Sequence, residues 1–442
     1  MPISIRRVML LAAVVGALHV AMLGASAECF NASAGPDIVV GEIPMLWKWG
    51  TVGGITGYSM STDSCNFGDA GIPFIEQSTQ HPIIAQNMYR VKQGRIEQIG
   101  MGWAKHTFGA AANTTCCFCD NPNSFQMLGP GCSDPYDAGT NGSQARLGPR
   151  SEINPFTGAF PWPFTWQGQA GDAIYKRLQV HEADLDPAAN ADALYYVEVQ
   201  YITPSEAGTG NQFNNVSYRQ AVVGAHDETG WVLSTTGQTF RKKAAVSAWK
   251  TTNPSVDFTN VDVPDDGRLI LAHKTSDNGD GTWHYEYAIY NMNCHRSASG
   301  FSVPIPPLVT ITNVGFHDVD SHSGEPFDTT DWTPAVSGLT VQWATAPFVA
   351  NAAANALRWG TLYNYWFDAD TEPADGEVAI DLFRPGSPDS MTAIAPVPGE
   401  FCLLSPECFP DCSLVLTGYT WFEFCVRGPD TEGYAVCHCN DF

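Results

Sequence analysis

Thr282 to Asn293 (TWHYEYAIYNMN) decides the fold: Trp283, Tyr285, Tyr287 and Ile289 alternate with His284, Glu286 and Ala288. Large rings at every second position are the signature of a β-strand with one buried face. Arg268 to Lys274 precedes it as a second strand, and Thr275-Ser276-Asp277-Asn278-Gly279-Asp280-Gly281 lies between them. Asn-Gly favours a type I′ hairpin turn, and a turn at Asn278-Gly279 pairs His273 with His284 and Leu271 with Glu286. Facing residues have Cβ atoms about 4.5–5.5 Å apart, near enough for two imidazoles to share a metal ion. A four-residue loop pairs His273 with Glu286 on that same face, and a three-residue loop breaks the arrangement. The plain alternative is a polar, solvated sheet face.

The same alternation recurs along the chain. Val197, Val199 and Tyr201 alternate with Glu198 and Gln200 within Ala193 to Thr203. Trp359, Thr361, Tyr363, Tyr365 and Phe367 line one face of a further strand. After an acidic turn, Val378, Ile380 and Leu382 answer it as a hairpin partner. Helical periodicity is scarce, and Gly, Pro, Asn, Ser and Thr fill the loops. The expected fold is all-β: two tandem antiparallel β-sandwich-like domains with long disulfide-tied loops and a small Cys-rich C-terminal module. The expected divisions are a signal peptide at 1–27, a loop-rich β domain at 28–240 and a β-sandwich at 241–390. A linker at 391–400 follows, around Ala393-Ile394-Ala395-Pro396-Val397-Pro398-Gly399, and then the Cys-rich module at 401–442.

Arg6-Arg7, an apolar run from Val8 to Gly24 and Ala25-Ser26-Ala27 form a secretory leader cleaved before Glu28. The arginine pair also admits a twin-arginine leader, which exports folded proteins, although its flanks fit that poorly. No other stretch has the ~20 continuous apolar residues a membrane span needs. The net charge of −24, from 46 acidic and 22 basic residues, excludes nucleic acid as a partner and attracts cations. All 13 cysteines follow the leader, and an oxidising compartment joins most of them. Six crowd the tail from Cys402 to Cys439; the remaining seven are odd in number, and isolated Cys294 is the candidate free thiol.

Chemistry-bearing residues fall in three places. The His273–His284 hairpin is one. Phe316 to Glu325 (FHDVDSHSGE) is the second, where His317, Asp320 and His322 can ligate zinc or copper. Its carboxylates and backbone carbonyls suit calcium equally, and its alternative is a loop of Asx-turns. HExxH is absent. The third is Tyr89 to His106, where Gly100 and Gly102 suit close approach of a ligand or another backbone. Lys105 can move protons there, and His106 can ligate a metal. Cys116, Cys117, Cys119 and Cys132 suit disulfides better than zinc outside the cell. The absence of G-x-S-x-G, a P-loop and a dinucleotide fingerprint disfavours serine-hydrolase, nucleotide and nicotinamide chemistry.

The segments HPIIAQNMYRVKQGRIEQIGMGWAKH, GCSDPY, NGSQARLGPRSEINP, WHYEYAIYNMN, GFHDVDSHSGEPFD and NALRWGTLYNYWFDAD resemble a group of large secreted hypothetical proteins from planctomycete-like bacteria. The resemblance spans about 37–390. It implies one secreted unit and no particular reaction, and the Cys-rich tail departs from it.

Two readings of function follow. The first is a secreted extracellular or cell-surface protein with a binding or structural role, its acidic loops stabilised by calcium. Its partners would be an extracellular polymer, a cell surface or metal ions. The second is a secreted metalloenzyme, a copper-type oxidase or oxygenase or a metal-assisted hydrolase. There His273, His284, His317, Asp320 and His322, with His106, hold copper or zinc, and Lys105 or Glu286 moves protons.

Overall fold

The computed structural model describes residues 32–106, 109–119 and 125–399, with the backbone of three strands beyond them. The leader, Cys29, and the side chains of the tail cysteines lie outside the described residues. Strands hold 47% of the chain and helices 7%, which makes the protein all-β. By its internal contacts the chain divides into two compact units. One comprises the residues up to Ala248 together with Asp320–Pro326, and the other comprises Trp249–Val319 and the chain from Phe327 onward.

The first unit is built on a ten-stranded antiparallel sheet. Its main path runs Gly230–Phe240, Val216–Asp227, Leu194–Ile202, Ile83–Lys92, Arg95–Met101, Leu178–His181, Ile55–Met60 and Leu46–Val52. A three-stranded sheet of Ile38–Glu42, Thr62–Asn66 and Ser133–Tyr136 supplies the second layer. Ile38, Val40 and Tyr136 from the small sheet share one core with Met88, Val197, Val199 and Tyr201 from the large one. Glu198 and Gln200 were expected on a solvated face but are buried. Glu198 sits inside because Asn87 Nδ2, the Tyr89 hydroxyl and the Ala245 backbone N–H all donate to its carboxylate. The two ends of the large sheet meet along a side-chain seam. Lys48 Nζ reaches Asp227 at 2.5 Å and the Gly230 carbonyl at 2.7 Å, and the Tyr58 hydroxyl donates to the Trp231 carbonyl at 2.6 Å.

The second unit is a five-on-five sandwich. One sheet runs Asp257–Asp262, Arg268–Asp277, Trp283–Asn291, Leu362–Ala369 and Ile311–His317. The other runs Thr333–Ser337, Thr340–Ala344, Ala298–Pro304, Pro373–Leu382 and Ser390–Pro398. Tyr285, Tyr287, Ile289, Tyr365 and Phe367 of the first meet Phe301, Trp343, Val378 and Ile380 of the second. Each such side chain contributes about 1.5–3 kcal/mol by leaving water.

Three expectations need correction here. Leu362–Ala369 and Pro373–Leu382 are not a hairpin: the first pairs with Trp283–Asn291 and Ile311–His317, the second with Ala298–Pro304 and Ser390–Pro398. Both inner faces of a sandwich show the same alternation, so periodicity marks the buried face without naming the partner strand. The expected linker is the strand Ser390–Pro398, with Ala393, Ala395 and Val397 in the core. Its prolines are tolerated because it is an edge strand, with no neighbour requiring their N–H. Pro334 lies in the opposite edge strand of that sheet.

The third correction is the hairpin register. His273 pairs with Tyr287, and His284 pairs with Ser276. A type I′ turn needs positive φ at both Asn278 and Gly279, but the positive values fall on Gly279 (77°) and Gly281 (90°). Asx contacts set a longer loop instead. Asp277 accepts from the Gly279 N–H at 2.7 Å, Asp280 accepts from the Thr282 N–H at 3.0 Å, and the Asn278 N–H donates to the Thr282 carbonyl at 3.0 Å.

Beyond the sandwich, Cys412–Val415, Trp421–Arg427 and Tyr434–Asn440 form a three-stranded antiparallel sheet. Elsewhere Cys65 bonds Cys116 and Cys119 bonds Cys132, and Cys117 is also in a disulfide. Cys294 is the free thiol among the described residues, and it is buried.

Candidate functional site

The register places His273 and His284 on opposite faces of their sheet. Tyr287 and Leu271 share the core-side face with His273, and burial lowers that imidazole's pKa. His284 shares the other face with Glu286, and the two cannot meet His273 across the strands. His284 instead lies between two carboxylates. Its Nδ1 bonds Asp368, the residue directly across the next ladder, at 2.6 Å, and its Nε2 bonds Glu286 at 3.0 Å. Burial opposes protonation of this ring, but the Glu286 and Asp368 hydrogen bonds and charges outweigh it and raise the pKa. A protonated imidazole with both ring nitrogens donating to carboxylates is an ion-pair clamp and not a free metal ligand.

The Phe316–Glu325 stretch does not gather its ligands either. His317 ends the strand Ile311–His317 opposite Asn364, and Asp318 accepts from Asn355 Nδ2. Asp320–Pro326 belongs to the first unit. There His322 Nε2–H donates to the Met101 carbonyl at 2.8 Å, and the Ser323 hydroxyl, 2.9 Å from His322 Nδ1, completes a neutral ring. Burial, with the Arg150 charge as a lesser influence, pushes this imidazole down to about 4. Glu325 accepts the backbone N–H groups of Arg150 and Ser151, and Arg150 itself donates to the Gly102 and Gln86 carbonyls and to Asn87 Oδ1. The segment acts as a strut. Among the described residues no three His, Cys, Asp or Glu side chains are grouped to hold a metal ion.

Lys105 and His106, on the strand Ala104–His106, are both buried and point to opposite sides as neighbours in a strand must. Gly100 and Gly102 serve backbone approach: a Cβ at Gly100 would lie 2.3 Å from the Gln179 carbonyl oxygen, and one at Gly102 3.0 Å from the Leu178 nitrogen. Lys105 Nζ sits 3.4 Å from the centroid of the Tyr136 ring. Burial holds its pKa well below the usual range, opposed by the charge of Asp134. Asp134 is pushed up to about 7, chiefly by burial, while the Ala111 N–H and the Lys105 charge pull it down.

His106 meets a partner that sequence reasoning missed, His81. His81 Nδ1–H donates to the Pro82 carbonyl at 2.8 Å, which leaves Nε2 to accept from His106 Nε2–H. Trp162 stacks on His106 at 3.9 Å, and Phe160 and Phe164 complete an aromatic surround. Burial, helped by the Lys105 and Arg146 charges, lowers His81 to about 4. The cross-strand pair Ile83–His106 places His106 beside the segment carrying His81. That ladder was the signal, and only a known register reveals it. The His81 and His106 imidazoles, in contact and enclosed by aromatic rings, can pass a proton between them.

A further acidic pair lies near the start of the described chain. Glu206 accepts the Ile38 N–H and Asn215 Nδ2–H, and burial, with the adjacent Asp37 charge as a lesser influence, pushes it up to about 8. No protein-family model matches the chain, and no curated protein does. No helix among the described residues is long and apolar enough to cross a membrane.

Proposed function

We propose that this is a secreted extracellular or cell-surface protein with a binding or structural role, stabilised by a hard cation. What supports the reading is the dispersal of its histidines. His273, His284, His317, His322 and His106 each have a separate setting, and the first two stand on opposite faces of one sheet. An oxidase or hydrolase centre requires three ligands converging on one point with an open position. Formed disulfides and the leader-like N-terminus favour maturation outside the cytoplasm. The resemblance to large secreted bacterial proteins agrees with that location.

The test follows the natural chain through export. The expected result is a mature N-terminus at Glu28, recovery outside the cytoplasm, and no stoichiometric copper or zinc in metal analysis. Retention of the leader in the cytoplasm, or copper or zinc that is lost in a His284→Ala variant, would overturn the reading.

A further inference from the structure

The segment 33–38 is held by the loop 203–215, which carries two short 3₁₀ turns, Pro204–Glu206 and Asn211–Phe213. Asn211 Nδ2 donates to the Ala34 and Pro36 carbonyls at 3.0 and 2.8 Å. The Glu206 carboxylate reaches across to the Ile38 N–H, the residue after Asp37, and also takes Asn215 Nδ2–H. Asp37 and Glu206 are both fully buried, and Asn215 is 1% exposed.

The hydrogen-bond inventory at this clasp does not balance. Asp37 Oδ2 accepts the Ser33 hydroxyl at 2.6 Å, but Asp37 Oδ1 is buried with no partner among the described residues. Asn215 Oδ1 is buried in the same condition. The Asp37 charge acts on Glu206, so two buried carboxylates lie close at this clasp beside two acceptor oxygens, Asp37 Oδ1 and Asn215 Oδ1, that lack donors. Buried acceptors are normally satisfied, and two like charges out of water require a counter-charge. Oxygen-only, carboxylate-rich coordination suits a hard divalent cation, and no nitrogen or sulfur ligand is present to favour zinc or copper.

We propose that Asp37, Glu206 and Asn215 form a calcium site that locks the segment 33–38 onto the loop 203–215. Asp37 Oδ1 and the Glu206 carboxylate supply the charge, and Asn215 Oδ1 is a neutral ligand. This site is separate from the acidic stretch Phe316–Glu325, whose carboxylates are engaged elsewhere. It deepens the reading of an extracellular protein, where calcium modules work at affinities of about 10⁻⁴ to 10⁻³ M.

The experiment uses the full mature protein, with calcium as the probe in titration calorimetry and thermal unfolding with and without chelator. One calcium per chain and a rise in melting temperature on adding millimolar calcium are expected, with magnesium much weaker. Asp37→Asn and Glu206→Gln should each weaken calcium binding by at least about tenfold. Both variants should keep a cooperative unfolding transition in chelator, which guards against mistaking misfolding for lost ligation. Wild-type protein that binds no calcium, or variants with an unchanged calcium response, would overturn the site. Export and the copper and zinc analysis are read separately, so failure here leaves the wider reading to its own test.

Discussion

The two units are held together by different means. In the second, aromatic faces close on each other; the Tyr285 and Tyr287 hydroxyls each find a carbonyl, while the Tyr365 hydroxyl and Trp343 Nε1 are buried with no hydrogen-bond partner among the described residues. In the first, buried polar side chains act as struts. Arg150, Glu198 and Glu325 bond backbone groups at Gly102, Ala245 and Arg150. The contrast follows from loop content. Long connections bring many unpaired N–H and C=O groups inside, and only side-chain partners can satisfy them.

Four outcomes would break or sharpen this contrast. Arg150→Ala should destabilise the first unit by about 3 kcal/mol, since it removes the buried donors to the Gly102 carbonyl and Asn87 Oδ1 at once. Chemical denaturation followed by a probe in each unit checks this, and a loss below about 1 kcal/mol would end the strut account. His284→Gln should cost about 2–3 kcal/mol near neutral pH by leaving Glu286 buried beside Asp368 without its cation.

The third outcome concerns pH, and two histidine settings should respond in opposite senses. His284 has a raised folded pKa, so its contribution is complete below 6.5 and is lost as pH rises through the folded value. The wild-type advantage over His284→Gln should therefore shrink toward alkaline pH. His81 has a folded pKa near 4, below its ordinary 6.5. Its contribution is present above 6.5 and is lost as pH falls toward 4, so the advantage over His81→Gln should shrink in acid. Denaturation midpoints for both variants across that range decide it; parallel curves would refute the assignment. The smallest effect has the opposite sign. Tyr365→Phe should stabilise the sandwich by about 1 kcal/mol, because it deletes a buried hydroxyl that has no partner among the described residues. A thermal shift downward would show that the hydroxyl is engaged.

How much of this could be read from sequence depended on the range of the interaction. The inner face of Trp283–Asn291 was legible because each ring at 283, 285 and 287 reports its own burial. Its register was not, because the loop is fixed by Asp277 and Asp280 as acceptors, and Asn278-Gly279 alone suggested a tighter turn. Partners across a sandwich, as for Leu362–Ala369, leave no local trace. Cys294 stood out by isolation, and the structure leaves it unpaired. The His81–His106 contact and the placement of Asp320–Pro326 in the first unit join residues far apart in sequence, and no spacing rule addresses them.

That placement has a consequence in time. Glu325 lies 174 residues beyond Ser151, whose backbone N–H it accepts, and Ser323 lies 147 beyond Lys176. A ribosome or a translocase delivering this polypeptide from its N-terminus hands over every strand of the first unit long before those two residues emerge. The first unit must therefore wait, nearly assembled, with the Arg150 corner unfinished, until the stretch Trp249–Val319 of the second unit has followed. A nascent chain halted before Ser323 should remain open to protease at that corner, and one released after Pro326 should close.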